Sequence, residues 1–257
     1  MTATQTAPTA RRIGASETEV VPIALGAMLM GTSTPEDQAR RILDHFIGEV
    51  TPRFVRSDGM PAPGMIDTAD CYCWWEAPGE AGGHSESVLG RWMADAGARD
   101  RVFLATKGSG WVDGAETAWK DGVADWEYAR QHFVGASARV LSDSVEASLE
   151  RLGADRIDLY YVHVDDLSTP LDESLETLAA LVAVLSFIPR FGLVVAALPV
   201  VQRADMAARA DPRAVRAARL AAAGRAPAAA LVPAPQGGTP TRLDRGRRAA
   251  RLPRAPP

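Results

Sequence analysis

The sequence predicts an α/β fold in which strand and helix alternate four times before the chain passes into a tail of different composition. Three observations predict it. Apolar runs at Gly64–Asp67, Arg101–Lys107 and Ile157–His163 each end in a polar residue, as buried parallel strands do on reaching a loop. Between them lie apolar stripes at helical spacing. The stripes and runs stop together near Val182, where the charge balance also reverses.

Taken in order, residues 11–21 alternate around Gly14-Ala15-Ser16, which suits a small hairpin. Pro22–Met28 is the first sheet strand. In the helix that follows, Thr34 is the expected cap and Pro35 the first helical residue, with Ala39, Ile42, Leu43, Phe46 and Ile47 as its inward stripe. A Pro- and Gly-rich loop leads to the second strand, ending at Asp67. The second helix, Ser85–Ala96, buries Val88, Leu89, Trp92 and Met93, and the third strand ends at Lys107. Residues 108–134 carry Trp111, Trp119 and Trp126 without a clean period. This stretch reads either as the wall of a pocket or as a surface insertion packing its own aromatics. Leu141, Val145, Leu149 and Leu152 stripe the third helix, which Gly153 stops. The fourth strand ends at His163, and Thr169-Pro170 opens a fourth helix with Leu171, Leu175, Leu178 and Val182 facing inward.

At 257 residues the chain could hold one eight-stranded barrel, which needs roughly 250. Residues 183–257 hold 13 Arg and 3 Asp with neither Lys nor Glu, a net charge of +10, which leaves 15 basic and 29 acidic residues in 1–182. Cys71 and Cys73 are the two cysteines. Their spacing suits neither a disulfide nor a closed zinc site, so a reduced, cytoplasmic setting is expected. Met1–Ala10 lacks the basic start and apolar core of a signal peptide, and no apolar stretch is long enough to span a bilayer.

The strand ends place Asp67, Tyr72, Lys107 and His163 on one rim. Around them stand Leu25-Gly26-Ala27-Met28, the run from Gly83 to Met93, and the run from Ser148 to His163. Over about residues 11–182 this set resembles the aldo-keto reductase family, whose hallmark is an Asp, Tyr, Lys and His tetrad on successive strands of a (β/α)8 barrel. The resemblance implies an incomplete (β/α)8 barrel of about four strand-helix units, with two open sheet edges and one uncovered face. It implies an oxidoreductase interconverting an aldehyde or ketone and an alcohol, with Asp67, Tyr72, Lys107 and His163 as catalytic residues and a small carbonyl compound as substrate. NADPH is the implied cofactor, with Gly26 and Asp67 beside it. Oligomeric state is not readable.

Each of the four has an ordinary structural reading: Asp67 as a turn cap, Tyr72 as a half-buried aromatic, Lys107 as a strand-end charge, His163 as a satisfied core histidine. Singly those readings win; in this order and context the four point jointly to descent from a reductase. Gly108-Ser109-Gly110 lacks the third glycine of a dinucleotide fingerprint. No metal site is expected, since His45, His84 and His132 read as surface residues. Arg242, Arg245, Arg247, Arg248, Arg251 and Arg254 have no interleaved aromatics, so no specific nucleic-acid partner follows.

Residues 1–10 are expected to be disordered, and residues 183–257 to be a disordered or frame-shifted tail. Read one base forward, the codons of Met206-Ala207 force a Trp. Shifted codons over residues 227–237 permit Gln-Leu-Arg-His-Ser-Tyr-Leu-Arg-Pro-Arg, a family-like phrase. In the family a Ser-Asn pair after a later strand holds the nicotinamide amide, and this chain contains no Asn. The rival expectation is therefore a catalytically incompetent fragment of such an enzyme.

Overall fold

The computed structural model describes residues 9–14, 16–186 and 194–195, with side chains as far as residue 183. The expectations for residues 1–8, and for the tail apart from these few positions, lie outside the described residues. Strands β1 (Arg11–Arg12) and β2 (Glu19–Val20) form the expected antiparallel hairpin. Next come β3 (Ala24–Gly26), α1 (Glu36–His45), β4 (Gly64–Asp67), α2 (His84–Ala96) and β5 (Val102–Gly108). A second hairpin, β6 (Trp119–Lys120) with β7 (Val123–Ala124), and the short helix α3 (Trp126–Gln131) occupy the stretch after β5. The chain continues through α4 (Ala138–Leu152), β8 (Leu159–Val162), α5 (Leu171–Ser186) and β9 (Val194–Val195).

Five strands form one parallel sheet in the order β3-β4-β5-β8-β9. Successive side chains on a strand face opposite sides, and the sequence uses both. Ile66 and Leu104 join Leu43, Phe46, Ile47, Val88, Leu89 and Trp92 beneath α1 and α2. Tyr160 and Val162 join Leu141, Val145 and Leu178 beneath α4 and α5. On the other face Met65, Phe103, Leu159 and Tyr161 meet Ile13 and Val20 of the first hairpin. That hairpin floors the inner face, below the rim where β4, β5 and β8 end. Helices on one face of a parallel sheet and a floored inner side are the arrangement of part of a (β/α)8 barrel.

Three details depart from the sequence reading. Pro35, with ψ 151°, is the N-cap of α1 and not its first helical residue. Thr34 is fixed one step earlier, its N–H donating to the Leu29 carbonyl and its carbonyl accepting from Gly31. Ile42 of the expected stripe is 36% exposed. Parallel structure also extends past Val182, since α5 runs to Ser186 and Val194 and Val195 pair with Leu159 and Tyr160. Among the described residues no helix is long and apolar enough to cross a membrane.

Candidate active site

Sheet register sets the rim. Asp67 lies level with Gly26 and Ala105, and Lys107 follows two residues beyond Ala105 on the same face. Lys107 is level with Tyr161, and His163 follows two residues beyond that. The loop after β4 is stitched to β5 by Thr68 N–H to Ala105 O (2.9 Å) and Asp70 N–H to Lys107 O (3.0 Å). It then folds back through tight turns, with Cys73 at φ 82°, and returns Tyr72 to the end of β5.

The result is a compact set of contacts centred on one ammonium. Lys107 Nζ donates to Asp67 Oδ2 (2.8 Å), to the Thr68 carbonyl (2.7 Å) and to Tyr72 Oη (2.8 Å). An ammonium has three protons to donate, so Lys107 is saturated. His163 meets the Tyr72 ring edge-on, with centroids 5.7 Å apart, and its Nδ1 lies 3.5 Å from Cys71 Sγ. The structure thus brings together all four predicted residues. Gly26 lies beside them, on the lining of a cleft of about 590 Å³ that Asp67, Lys107, Tyr161 and His163 also line.

Burial controls the proton affinities. It pushes the Tyr72 phenol up, and the hydrogen bond and charge of Lys107 pull it part of the way back. Burial, aided by Lys107, depresses His163 to about 4, so the imidazole is neutral at physiological pH. The phenol therefore keeps its proton and the imidazole carries no charge.

Residues 108–134 pack against the loop that carries Tyr72. Val112, Ala115, Ala118 and Ala129 form a cluster with Ala69, Cys71 and Trp74, against which Tyr72 and Trp75 also pack. Trp126 lies 5.5 Å from Trp75, whose ring is 5.9 Å from Tyr72. The insertion thus lays Trp126 against the tryptophans of the loop that carries the phenol, and it contributes no residue to the lining of the described cleft.

The sequence reading assigns nothing to a second set of polar residues behind the rim. Glu86, fully buried on α2, accepts from Arg151 Nε (2.6 Å) and Thr106 Oγ1 (2.6 Å), while Thr68 and Ser85 share a hydrogen bond of 2.8 Å. These contacts fasten α2 and α4 behind Lys107. One signal was present: Glu86 stands three residues before Leu89 and seven before Met93, on the apolar stripe of its own helix.

A model of the aldo/keto reductase family matches residues 22–186. Norsolorinic acid reductase stcV of Emericella nidulans is 35% identical over 172 residues, 64% of this chain and 37% of that protein. Aldo-keto reductase YhdN of Bacillus subtilis is 36% identical over 117 residues, 46% of this chain and 28% of that protein. An aldo-keto reductase of Klebsiella pneumoniae solved in complex with NADPH superimposes with a TM-score of 0.47 at 25% identity, covering 75% of this chain and 52% of that one. The chain spans well under half the length of these curated relatives. The family match covers more than half of the chain, from the strand that carries Gly26 to the end of α5, and takes in all four rim residues; the chain belongs to the aldo/keto reductase family.

Proposed function

We propose that the rim of Asp67, Tyr72, Lys107 and His163 is the proton-transfer half of an NADPH-linked oxidoreductase that interconverts an aldehyde or ketone and an alcohol. The observation that carries this reading is the single ammonium of Lys107 bonded at 2.8 Å to both a carboxylate and a phenol. When a carbonyl is reduced, negative charge develops on its oxygen, and an acid placed there must release a proton at that moment and not before. Burial keeps the Tyr72 proton in place in the resting site. As the alkoxide forms, Tyr72 Oη gives up the proton and Lys107 stabilises the phenolate left behind. Asp67 holds Lys107 at the required position. His163, neutral and beside the phenol, orients the carbonyl oxygen by a hydrogen bond without adding a charge.

The nicotinamide supplies the hydride when it is bound, since no side chain can donate one. The residues fit its reacting end. Gly26 borders the cleft with nothing within 4 Å of where a Cβ would stand, so a flat ring meets no obstruction there. Among the described residues that line the cleft, no uncommitted cation is left for its phosphate end, since the one cation, Lys107, is already saturated. The chain also has no Asn to clasp the nicotinamide amide in the way the family resemblance implies. Weak cofactor binding, and turnover near background, follow for the chain as written.

The test is NADPH titration by fluorescence, followed by turnover of a reactive aldehyde with Tyr72→Phe as control. The expected result is weak binding and faint turnover, with any residual rate lost on removing the phenol. Turnover that survives in Tyr72→Phe overturns the assignment of the proton donor. Tight binding with brisk turnover that the substitution abolishes upholds the site and overturns the reading of impairment.

A further inference from the structure

One buried group near the rim has no use in the proton-transfer scheme. Asp70 is 1% exposed, and neither of its carboxyl oxygens makes a hydrogen bond of good geometry; the Cys71 amide and the charges of Arg151 and Lys107 offset only part of the cost of its burial. Isolated buried carboxyls are costly, and proteins rarely keep one without a partner. Beside it, Cys71 Sγ and His163 Nδ1 stand 3.5 Å apart. One ligand atom from each of the three residues lies within 4.8 Å of the others.

We propose that Asp70, Cys71 and His163 form a binding site for one zinc-like divalent cation, with three protein ligands and a fourth position left to water or a bound molecule. The donor set selects the ion. Thiolate, imidazole and carboxylate together suit zinc and its spectroscopic substitutes, cobalt and cadmium, and disfavour magnesium and calcium, which require oxygen. Bond lengths of about 2.0–2.3 Å place tetrahedral ligand atoms roughly 3.3–3.8 Å from one another. The Cys71–His163 pair already has that separation, and the Asp70 oxygen, within 4.8 Å of both, has only to draw closer to complete the set. Binding displaces the thiol and carboxyl protons to solvent, and nothing is oxidised or reduced. His163 lines the cleft, which gives the ion a way in.

Cys73 supplies an internal control. Its Sγ is turned away toward the carbonyls of Met28 (3.1 Å) and Met30 and toward Thr32. The consequence for activity rests on the proposed function: an ion on His163 Nδ1 fixes the ring and sets a dication beside the phenol, so zinc alters turnover. The binding itself does not depend on that reading, and its test needs no turnover.

Cobalt(II) is titrated into the full chain in zinc-free buffer, and the near-ultraviolet thiolate-to-cobalt band is followed. The expected result is saturation at one equivalent, reversal by zinc, loss in Cys71→Ser, no change in Cys73→Ser, and affinity about tenfold weaker or more in Asp70→Asn. A parent protein with no saturable band, or a band that persists in Cys71→Ser, overturns the proposal. If Cys71→Ser fails to fold, as circular dichroism reports, zinc protection of the parent from alkylation decides. Protection of Cys71 and not Cys73 upholds the site, and equal labelling of Cys71 with and without zinc overturns it.

Discussion

Lys107 donates all of its protons, and the phenol feels the result. Because burial raises Tyr72 while Lys107 lowers it, Lys107→Met should move the phenol's ionisation further upward. Alkaline ultraviolet difference titration against Tyr72→Phe reads this, and an unmoved or lowered midpoint would contradict the assignment of Lys107. His163 should titrate near 4 in a nuclear magnetic resonance pH series, far below the ordinary imidazole range of about 6.5. A midpoint near 6.5 would mean that the imidazole is solvated. At this scale the sequence was highly legible where a residue ends a strand, because register alone delivers Asp67, Lys107 and His163 to one face. It was poorly legible where function depends on a long-range partner. Glu86 is visibly misplaced on its stripe, but nothing local names Arg151, 65 residues away, as the group that answers it.

At the scale of elements, α2 and α4 approach closely, and Gly90 allows it. A Cβ there would stand 2.5 Å from the Arg151 carbonyl and 2.7 Å from the Leu152 carbonyl carbon. Backbone atoms cannot rotate aside, so Gly90→Ala should destabilise by about 1–3 kcal/mol or more in a denaturant titration, despite alanine's better helix propensity. The ion pair just above is 0% and 6% exposed at its two side chains. Removing one partner, as in Arg151→Met, should cost about 3–5 kcal/mol, and Arg151→Met with Glu86→Leu should cost less than the single change. Asp166 fastens the entrances of two helices. It accepts from the Ala136 amide before α4 and from Ser168 and Thr169 before α5. Burial opposes its charge, but these hydrogen bonds hold its carboxyl well below the usual range. A depressed carboxyl contributes stability above about pH 4 that is lost as pH falls toward its folded value. Asp166→Asn should therefore be less stable than the parent at pH 7, with the difference closing in acid. Helix stripes and the Gly153 stop were readable because they are local. The pairing of β9 was not, since two valines become a strand only through Leu159 and Tyr160 of β8.

On the scale of the whole molecule, the sheet begins at β3, whose outer edge pairs with no other strand among the described residues. Ile23 and Met28, on either side of it, are 51% and 45% exposed. Exposed edges invite further pairing, so the chain should self-associate as its concentration rises. Sedimentation velocity across a concentration series measures this, and Leu25→Lys should reduce it; a concentration-independent monomer would show the edge to be guarded. The floor of the inner face has another consequence, one of timing. Ile13 and Val20 of the first hairpin, with Met65, Phe103, Leu159 and Tyr161, complete that floor from residues that all precede His163. Every partner of the Lys107 ammonium precedes Lys107 itself or lies within the same early stretch. Synthesis runs from the N-terminus, at about 5–20 residues per second, so the residues of the floor and rim have all been made before those that follow His163. The rim can therefore assemble on the nascent chain, on a floor already laid by the first hairpin, ahead of the residues that follow His163.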